Sequence, residues 1–343
     1  MESTLKINTG SFRNILIILP DMIGLNVLSL PAVRQIVNHF ENKRINLIGF
    51  RNCSEILLNE QLPHLSLISN HSELDELVEH INAEDPFDIV FDLLSSRISG
   101  RIVSQARIPF RIGSNYPGRN DYNVPILCQL SNKNTVSDYL DYLSVIGKPY
   151  CYEQPTLRAG YKVKQLGAQW LKDHDLQSKY LIILGVGAGN IRKRWPIDNY
   201  MRLSDELNNF KGVNVLYIVG PDELELSDKI KTENSKASVA HNLPLLTLKG
   251  VLAHASLAVS NDYSVMHMSA AIGIPTLAVF LSSDPVQWFP YSSPSHYVVG
   301  SYLSCRPCYR EDCENWQCND PSLFDTVRRD VTQMLKGLML KYQ

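Results

Sequence analysis

The chain has 343 residues, of which 44% are hydrophobic and 20% are charged, and its formal net charge at pH 7 is −2. This length and composition predict a soluble protein with two domains, each large enough to bury its own core. The small net charge gives no basic field for nucleic acid, and no apolar run is long enough to predict a membrane span. The polar N-terminal residues do not resemble a signal peptide, so we expect a cytoplasmic protein with at most peripheral membrane contact.

Apolar runs alternate with helical patterns through the first half of the chain, which predicts an open parallel sheet. We predict strands at 14–19, 45–49, 87–92 and 110–113, helices at 73–81, 99–106 and 135–146, and a further helix whose N-cap is Ser29. The stretch 57–67 fits neither pattern. The polar stretch 116–135 predicts a long surface loop, and 149–155 is the predicted linker to a second domain.

The second half repeats this alternation, so we predict a second doubly wound domain. Its predicted strands lie at 180–184, 214–219 and 276–280, and its predicted helices at 165–174, 196–210, 226–232, 245–255 and 265–272. Apolar residues at helical spacing between Leu323 and Met339 predict a terminal amphipathic helix that packs across the domains. The fold class is therefore α/β, with Rossmann-like domains at 1–155 and 156–320 and a C-terminal helix at 321–343.

The most informative stretch is 259–280, which has the pattern of a strand end, a polar turn, a short helix and a buried strand. Gly273 suits the position that follows a helix end. The start of a helix exposes unpaired N–H groups and a partial positive charge, which favours phosphate binding. The alternative is an ordinary strand-to-helix connection without a ligand.

A glycine-rich loop at 185–190 follows one predicted strand, and the basic run Arg192, Lys193 and Arg194 precedes the next predicted helix. Cations at this position oppose the helix dipole, so the run favours a nearby anion. Two alternatives stay open, namely a tight turn that needs no ligand and a solvated basic turn.

The stretch 261–275 resembles the Asn-Asp-x-Gly-x-x-His-x-x-Ala-Ala-x-Gly-x-Pro motif of glycosyltransferase family 9, the ADP-heptose heptosyltransferases. Ser264 stands where the family usually has glycine, and Tyr263 stands where it usually has serine or threonine. The chain also resembles the Lys-x-Trp-Pro motif of the family. The residues that match the two motifs are Asn261, Asp262, His267, Ala270, Ala271, Gly273 and Pro275, together with Lys193, Trp195 and Pro196.

The resemblance implies a two-domain glycosyltransferase of the GT-B type with its active site between the domains. The implied donor is ADP-L-glycero-β-D-manno-heptose, and the implied reaction inverts the anomeric carbon without a catalytic metal. Lys193 would neutralise the departing diphosphate. The implied donor-binding residues are Gly187, Ala188, Lys193, Glu223, Asp262, Tyr263, Ser264, Val265 and His267. The acceptor stays open between the lipopolysaccharide core, another glycan, a lipid-linked glycan and a protein side chain.

The family favours an aspartate in its first motif as the general base, but Leu25 occupies that position here, between Gly24 and Pro31, which keep the family spacing. A leucine cannot accept a proton. The candidate catalytic carboxylates are therefore Asp92 and Asp21, because both follow predicted strands at the edge where such sheets bind ligands. We place Asp92 first, since it also resembles an aspartate of the family pattern Tyr-Asp-x-x-x-Asp-Leu, with Phe87 in the tyrosine position. A carboxylate at a strand end can equally cap the next segment.

Four of the seven cysteines, namely Cys305, Cys308, Cys313 and Cys318, lie within fourteen residues. Four thiolates suit a tetrahedral zinc or iron ion, which would be structural because no open position remains. Some members of the family carry iron-binding cysteine motifs here that support assembly, so a homo-oligomer stays open. The alternatives are two disulfides or four free thiols.

Three rival functions remain at this point. The same fold could use another nucleotide-sugar donor. The chain could bind a nucleotide sugar without catalysis, as Leu25 suggests. It could also be an epimerase of the GT-B type, against which the Lys-x-Trp-Pro motif argues.

Overall fold

The computed structural model describes residues 7–68, 78–79, 81–82, 86–114, 121–126, 133–301, 303–310, 312–313 and 316–341. Most of the predicted helix at 73–81 and most of the predicted loop at 116–135 lie outside these residues. The chain divides into two compact units, Met1–Pro155 and Thr156–Gln343.

The described residues of the first unit form a six-stranded parallel sheet in the order β3-β2-β1-β4-β5-β6. Its strands are β1 (Asn14–Ile18), β2 (Arg44–Phe50), β3 (His64–Ile68), β4 (Ile89–Asp92), β5 (Phe110–Gly113) and β6 (Val124–Pro125). The four predicted strands are confirmed. The sequence missed β3 and β6, since β3 has no clean alternation and β6 has only two residues.

The helices of the first unit whose bounds lie within the described residues are α1 (Ile23–His39), α2 (Arg51–Ser54), α3 (Arg97–Gln105) and α4 (Thr135–Leu140), the last continued by a 3₁₀ turn (Asp141–Ile146). The prediction that Ser29 caps a helix is wrong, because α1 begins before it and contains Pro31 in its interior. The reason is Asn26, whose amide group donates to the carbonyl oxygens of Pro20 at 2.7 Å and Met22 at 3.0 Å. These bonds close the first helical turn ahead of Ser29.

The second unit repeats the architecture with a parallel sheet in the order β12-β11-β10-β7-β8-β9. Its strands are β7 (Tyr180–Gly185), β8 (Val213–Val219), β9 (Ser238–His241), β10 (Leu257–Asn261), β11 (Thr276–Phe280) and β12 (His296–Gly300). The predicted strands are confirmed. The two edge strands, β9 and β12, were not predicted, because they are short and carry polar or half-exposed residues.

The helices of the second unit are α5 (Tyr161–Asp173), α6 (Ile197–Leu207), α7 (Leu224–Glu233), α8 (Leu245–Leu252), α9 (Ser264–Ile272), α10 (Pro285–Trp288) and α11 (Ser322–Lys341). The apolar face of α11 packs into the core of this unit through Phe324, Val327 and Val331. None of the helices in the described ranges combines the length and the hydropathy of a membrane span.

Both sheets are doubly wound, as the sequence predicts. In each sheet the chain leaves the first strand toward one edge and later returns beside it, so that β1 and β4, and likewise β7 and β10, are neighbours. The carboxyl ends of such neighbouring strands border the crevice where open α/β sheets bind ligands. This topology places the loops that follow β7 and β10 side by side.

Helices α5 and α8 cross at two glycines, Gly167 of α5 and Gly250 of α8. A Cβ atom on Gly250 would overlap the carbonyl oxygen of Val163 and lie 2.7 Å from the backbone nitrogen of Gly167. The obstacle on both sides is backbone, which cannot turn away as a side chain could. The two helices can therefore approach this closely only with glycine at the crossing.

We expect Gly250→Ala to lower the free energy of unfolding by at least about 2 kcal/mol, since a methyl group forced against backbone strains the crossing. The matched control is Gly337→Ala in α11, where a Cβ atom would meet nothing within 4 Å. That variant should be neutral or up to about 1 kcal/mol more stable, because alanine favours helix. Urea unfolding of both variants measures the difference. Equal effects would contradict the proposed close crossing.

Candidate active site

The side chain of Asn261 joins the loops that follow β7 and β10. This residue is fully buried, and its amide group donates to the carbonyl oxygens of Val186 at 2.8 Å and Gly187 at 3.2 Å. Its amide oxygen accepts from the backbone N–H of Trp195 at 2.9 Å and from the hydroxyl of Tyr200 at 3.0 Å. Four partners therefore satisfy one buried amide and fix the glycine-rich loop against the end of β10.

Helix α9 begins directly after this anchor, as the sequence predicts. Its N-cap residue, Tyr263, has extended backbone and provides no side-chain cap, so the first N–H groups of the helix, including those of Ser264 and Val265, have no cap acceptor. Gly273 ends the helix with a φ of 93°, which confirms the predicted left-handed position. An uncapped helix start of this kind is suited to an anion.

Lys193 reaches toward this helix start. Its ammonium group donates to Oδ2 of Asp262 at 2.7 Å, and it lies 5.4 Å from the centre of the Trp288 ring. The carboxylate of Asp262 is buried, with 3% of the side chain exposed, whereas 21% of Lys193 is exposed. The lysine therefore neutralises a buried charge and stays accessible to a ligand.

The other two cations of the basic run have different partners. Arg194 donates to Oε1 of Glu223 at 3.0 Å, to Glu225 at 3.1 Å and to the carbonyl oxygen of Ala188 at 3.0 Å. The guanidinium of Arg192 lies over the ring of Trp316 at 5.2 Å. Among these three cations, it is Lys193 that pairs with the loop leading into α9.

Glu223 has a structural position in this arrangement. Its buried carboxylate accepts from the backbone N–H of Ala188 at 2.8 Å and of Gly220 at 3.1 Å, in addition to Arg194. A Cβ atom on Gly187 would overlap this carboxylate, at 2.6 Å from Cδ. The glycine at 187 is therefore required by Glu223, and the N–H of Ala188 is directed to the same carboxylate. The donor contact expected of Glu223 stays a prediction.

Tyr263 lies beside the glycine-rich loop. A Cβ atom on Gly189 would be 3.4 Å from Cε2 of the tyrosine ring. Burial, followed by the nearby charges of Glu223 and Asp222, raises the pKa of Tyr263, so the phenol is neutral at physiological pH. Tyr263 is larger than the serine or threonine that the family usually has at this position, and its ring fills space next to Gly189.

His267 is buried in the first turns of α9, where Nδ1 is 3.4 Å from the hydroxyl of Tyr291 and Nε2 is 4.0 Å from Oδ1 of Asp262. Burial lowers the pKa of His267 to about 4, although the charge of Asp262 opposes the shift. The imidazole is therefore neutral at pH 7 and adds no positive charge to the site.

Asp92 ends β4 and is fully buried. Its carboxylate accepts from the hydroxyl of Tyr122 at 2.5 Å and from the backbone N–H groups of Leu94 at 3.1 Å and Ser95 at 2.9 Å. Burial raises the pKa of Asp92 against the effect of these hydrogen bonds. The carboxylate fastens the loop after β4, which is the capping alternative that the sequence left open.

Asp21 follows β1 and is exposed, whereas Leu25 lies half-buried in the first turn of α1, a turn without acidic residues. The structure thus brings Asp21 and Asp92 to the carboxyl edges of neighbouring strands, as the sequence predicts. The exposed carboxylate of the two is that of Asp21.

The four clustered cysteines line one cavity of about 210 Å³, together with Arg192, Arg306 and Arg310. Cys305, Cys308, Cys313 and Cys318 are all free thiols. Within the described part of the chain, no three histidine, cysteine or acidic side chains are arranged to hold a metal ion. The cysteines therefore share a cavity, and ligation of a metal by them stays a prediction.

The sequence missed one contributor to this site, Trp288, and did not reveal the partners of two others, Arg194 and Asn261. Trp288 gives no motif signal, because it belongs to a four-residue helix that no periodicity reveals. Arg194 looked like a third cation for an anion, but it is directed to Glu223 and Glu225. Asn261 was visible as a motif residue, and only the fold shows that it joins two loops.

We expect His267 to destabilise the protein in acid. The unfolded imidazole takes up a proton below pH 6.5, but the folded one does so only near its pKa of about 4. The unfolded state therefore binds more protons in this window, and stability falls by up to about 3 kcal/mol between these pH values. Denaturant unfolding of His267→Gln should show a smaller loss. The two proteins should keep a constant difference between pH 7 and 8, and parallel losses in acid would contradict the assignment.

The chain is similar to known glycosyltransferases. The family model for glycosyltransferase family 9 (heptosyltransferase) matches residues 76–318. Lipooligosaccharide heptosyltransferase 2 from Campylobacter jejuni is 24% identical over an alignment of 317 positions, and the match covers 87% of this chain and 91% of the relative. Lipopolysaccharide heptosyltransferase 1 from Pseudomonas aeruginosa is 29% identical over 165 residues, 48% of this chain and 46% of that protein.

Solved structures show the same fold. The ADP-heptose lipopolysaccharide heptosyltransferase II of Escherichia coli superimposes with a TM-score of 0.80 at 19% sequence identity. The superposition covers 96% of this chain and 100% of that chain. The iron-containing dodecameric glycosyltransferase TibC of E. coli superimposes with a TM-score of 0.60 at 12% identity, over 97% of this chain and 78% of that one. The architecture is thus that of the GT-B heptosyltransferases, and the chain belongs to glycosyltransferase family 9.

Proposed function

We propose that this glycosyltransferase transfers heptose from ADP-heptose to a sugar hydroxyl with inversion at the anomeric carbon. The observation that carries the proposal is the pair of Lys193 and Asp262, at 2.7 Å, beside the uncapped start of α9. A lysine and a helix start together match the chemistry of a diphosphate. The relatives named for ADP-heptose support this choice of donor over another nucleotide sugar.

The leaving diphosphate defines the role of each group. As the bond between the anomeric carbon and the diphosphate breaks, negative charge grows on the phosphate oxygen. Lys193 and the N–H groups of Ser264 and Val265 stabilise that charge, since preorganised donors act most strongly where charge develops. His267 is neutral and packs within the pocket, so the charges next to the diphosphate are those of Lys193 and Asp262.

The acceptor proton requires a base that the acceptor can reach. Asp92 is buried with three donors on its carboxylate, whereas Asp21 is exposed after β1. We therefore assign the general base to Asp21 and a loop-fastening role to Asp92. Since Leu25 cannot take a proton, a carboxylate before α1 would replace the one that the family has within that motif.

The proposed acceptor is a core sugar of lipopolysaccharide or lipooligosaccharide, by analogy with the names of the relatives. The four cysteines are proposed to hold a structural iron or zinc ion, as the iron-containing relative suggests. The thiols suit either metal, and the arginines that line the same cavity would offset the negative charge of four thiolates. Such an ion would stabilise the segment and take no part in the transfer.

Lys193→Ala should raise the Kd for ADP about ten- to hundredfold, because a charged hydrogen bond to the diphosphate is lost and Asp262 is left unpaired. The affinity for adenosine, which has no phosphate, should stay close to that of the wild type. Lys229→Ala serves as the matched control, since this lysine pairs with Asp198 and Glu233 at the surface. Calorimetric titration measures all three proteins, and unchanged ADP affinity in Lys193→Ala would remove the basis of the proposed donor site.

Asp21→Asn should lower kcat about a hundredfold or more while the Kd for ADP stays unchanged, because a base acts on the acceptor proton and not on nucleotide binding. Asp92→Asn keeps an oxygen for the two backbone N–H groups and should retain kcat within about tenfold. Mass spectrometry of products from ADP-heptose and truncated lipooligosaccharide measures turnover. The opposite ranking of the two variants would reverse the assignment. ADP-heptose binding without product in the wild type would favour a non-catalytic protein.

A further inference from the structure

The cysteine-bearing segment touches the lysine loop on one side. This segment, here called the cysteine segment, comprises the described residues among 303–318. Its Trp316 ring lies 5.2 Å from the guanidinium of Arg192, the residue before Lys193. Arg192 and Lys193 belong to a single 3₁₀ turn, which Asn190 caps through a 2.7 Å bond to the N–H of Arg192. A contact that fixes Arg192 therefore fixes the backbone of Lys193.

The same segment is also linked to Lys193 through α10. The hydroxyl of Tyr309 donates to the side-chain oxygen of Gln287 and accepts from the N–H of Asp284 at 3.3 Å. Asp284 caps α10, and Gln287 precedes Trp288. Since the ammonium of Lys193 lies over the Trp288 ring, Tyr309 braces the surface against which the lysine rests.

The segment itself is fastened to the sheet. The backbone N–H groups of Cys308 and Tyr309 both donate to the carbonyl oxygen of Ser282, at 3.0 and 3.1 Å. Arg306 donates to the carbonyl oxygens of Ser301 and of Ser283, the latter at 3.4 Å. These bonds tie this part of the segment to the residues after β11 and β12, so Tyr309 is held from a rigid base.

We propose that Tyr309 and Trp316 are positioning residues that hold Lys193 in place for the diphosphate, Trp316 through Arg192 and Tyr309 through α10. The proposal rests on the proposed donor site and extends it to the cysteine segment, since Tyr309 follows Cys308 and Trp316 lies between Cys313 and Cys318. The cysteine segment is thus linked to the donor site through Arg192 and α10. A bond or ion that orders its four cysteines would also order the two residues that position the lysine.

Trp316→Leu should raise the Kd for ADP about fivefold, as expected for the loss of one cation–π contact, and should leave the Kd for adenosine unchanged. Trp316→Phe keeps an aromatic face for Arg192 and should restore most of the affinity. Tyr309→Phe removes the hydroxyl and should raise the Kd for ADP about threefold. Trp170→Leu is the control, because that ring stacks on His174 at the end of α5.

The titrations use the full-length protein with ADP and adenosine as probes, and thermal unfolding and metal content are recorded on the same samples. A parallel loss of ADP and adenosine affinity in Trp316→Leu would overturn the proposal, because general distortion weakens both. Wild-type ADP affinity in Trp316→Leu would overturn it too. If Lys193→Ala weakens ADP binding while Trp316→Leu and Tyr309→Phe do not, the positioning role fails and the donor site stands. If Lys193→Ala has no effect, the donor site itself fails.

Discussion

The ion pair between Lys193 and Asp262 is the interaction on which the proposed chemistry depends. Its partners come from the loops after β7 and β10, which the doubly wound topology makes neighbours. Because Asp262 is buried, its charge needs a partner in the absence of ligand, and the lysine supplies it. In the proposed reaction, a diphosphate that binds at the helix start meets a lysine already in place. The site then needs little reorganisation, and preorganised charges of this kind are the usual source of electrostatic catalysis.

Two buried side chains create that preorganisation. The side-chain amide of Asn261 forms hydrogen bonds with the glycine-rich loop, Trp195 and Tyr200. The carboxylate of Glu223 accepts hydrogen bonds from Ala188, Gly220 and Arg194. Both networks are complete without a ligand. The loop therefore keeps its shape without a ligand, and close packing on Glu223 is by itself a reason for glycine at position 187.

The sequence predicted the alternation of strands and helices well, because buried parallel strands such as β7 and β11 are nearly continuous apolar runs. It located α9 and Gly273 through local rules. It failed at Ser29, because the bonds of Asn26 to Pro20 and Met22 are a tertiary feature of the turn after β1. A cap residue and a proline in sequence are not enough when another side chain starts the helix earlier.

At the candidate site, the sequence supplied residue types and the fold supplied their partners. The basic run looked uniform, yet Arg192, Lys193 and Arg194 point to an aromatic ring, a buried aspartate and two glutamates. The sequence favoured Asp92 over Asp21 as the base, because Asp92 also matches a family pattern. Its burial reverses this order in our proposal, and its carboxylate accepts from Tyr122, a residue thirty positions away in the chain. Long-range partners of this kind leave no local pattern.

The most direct measurement is a crystal structure of the protein with ADP bound. The diphosphate should lie within hydrogen-bond distance of the Lys193 ammonium and of the first backbone N–H groups of α9, with Asp262 still beside the lysine. A diphosphate bound elsewhere, or a helix start filled by the side chains of Tyr263 and its neighbours, would contradict the proposed donor site.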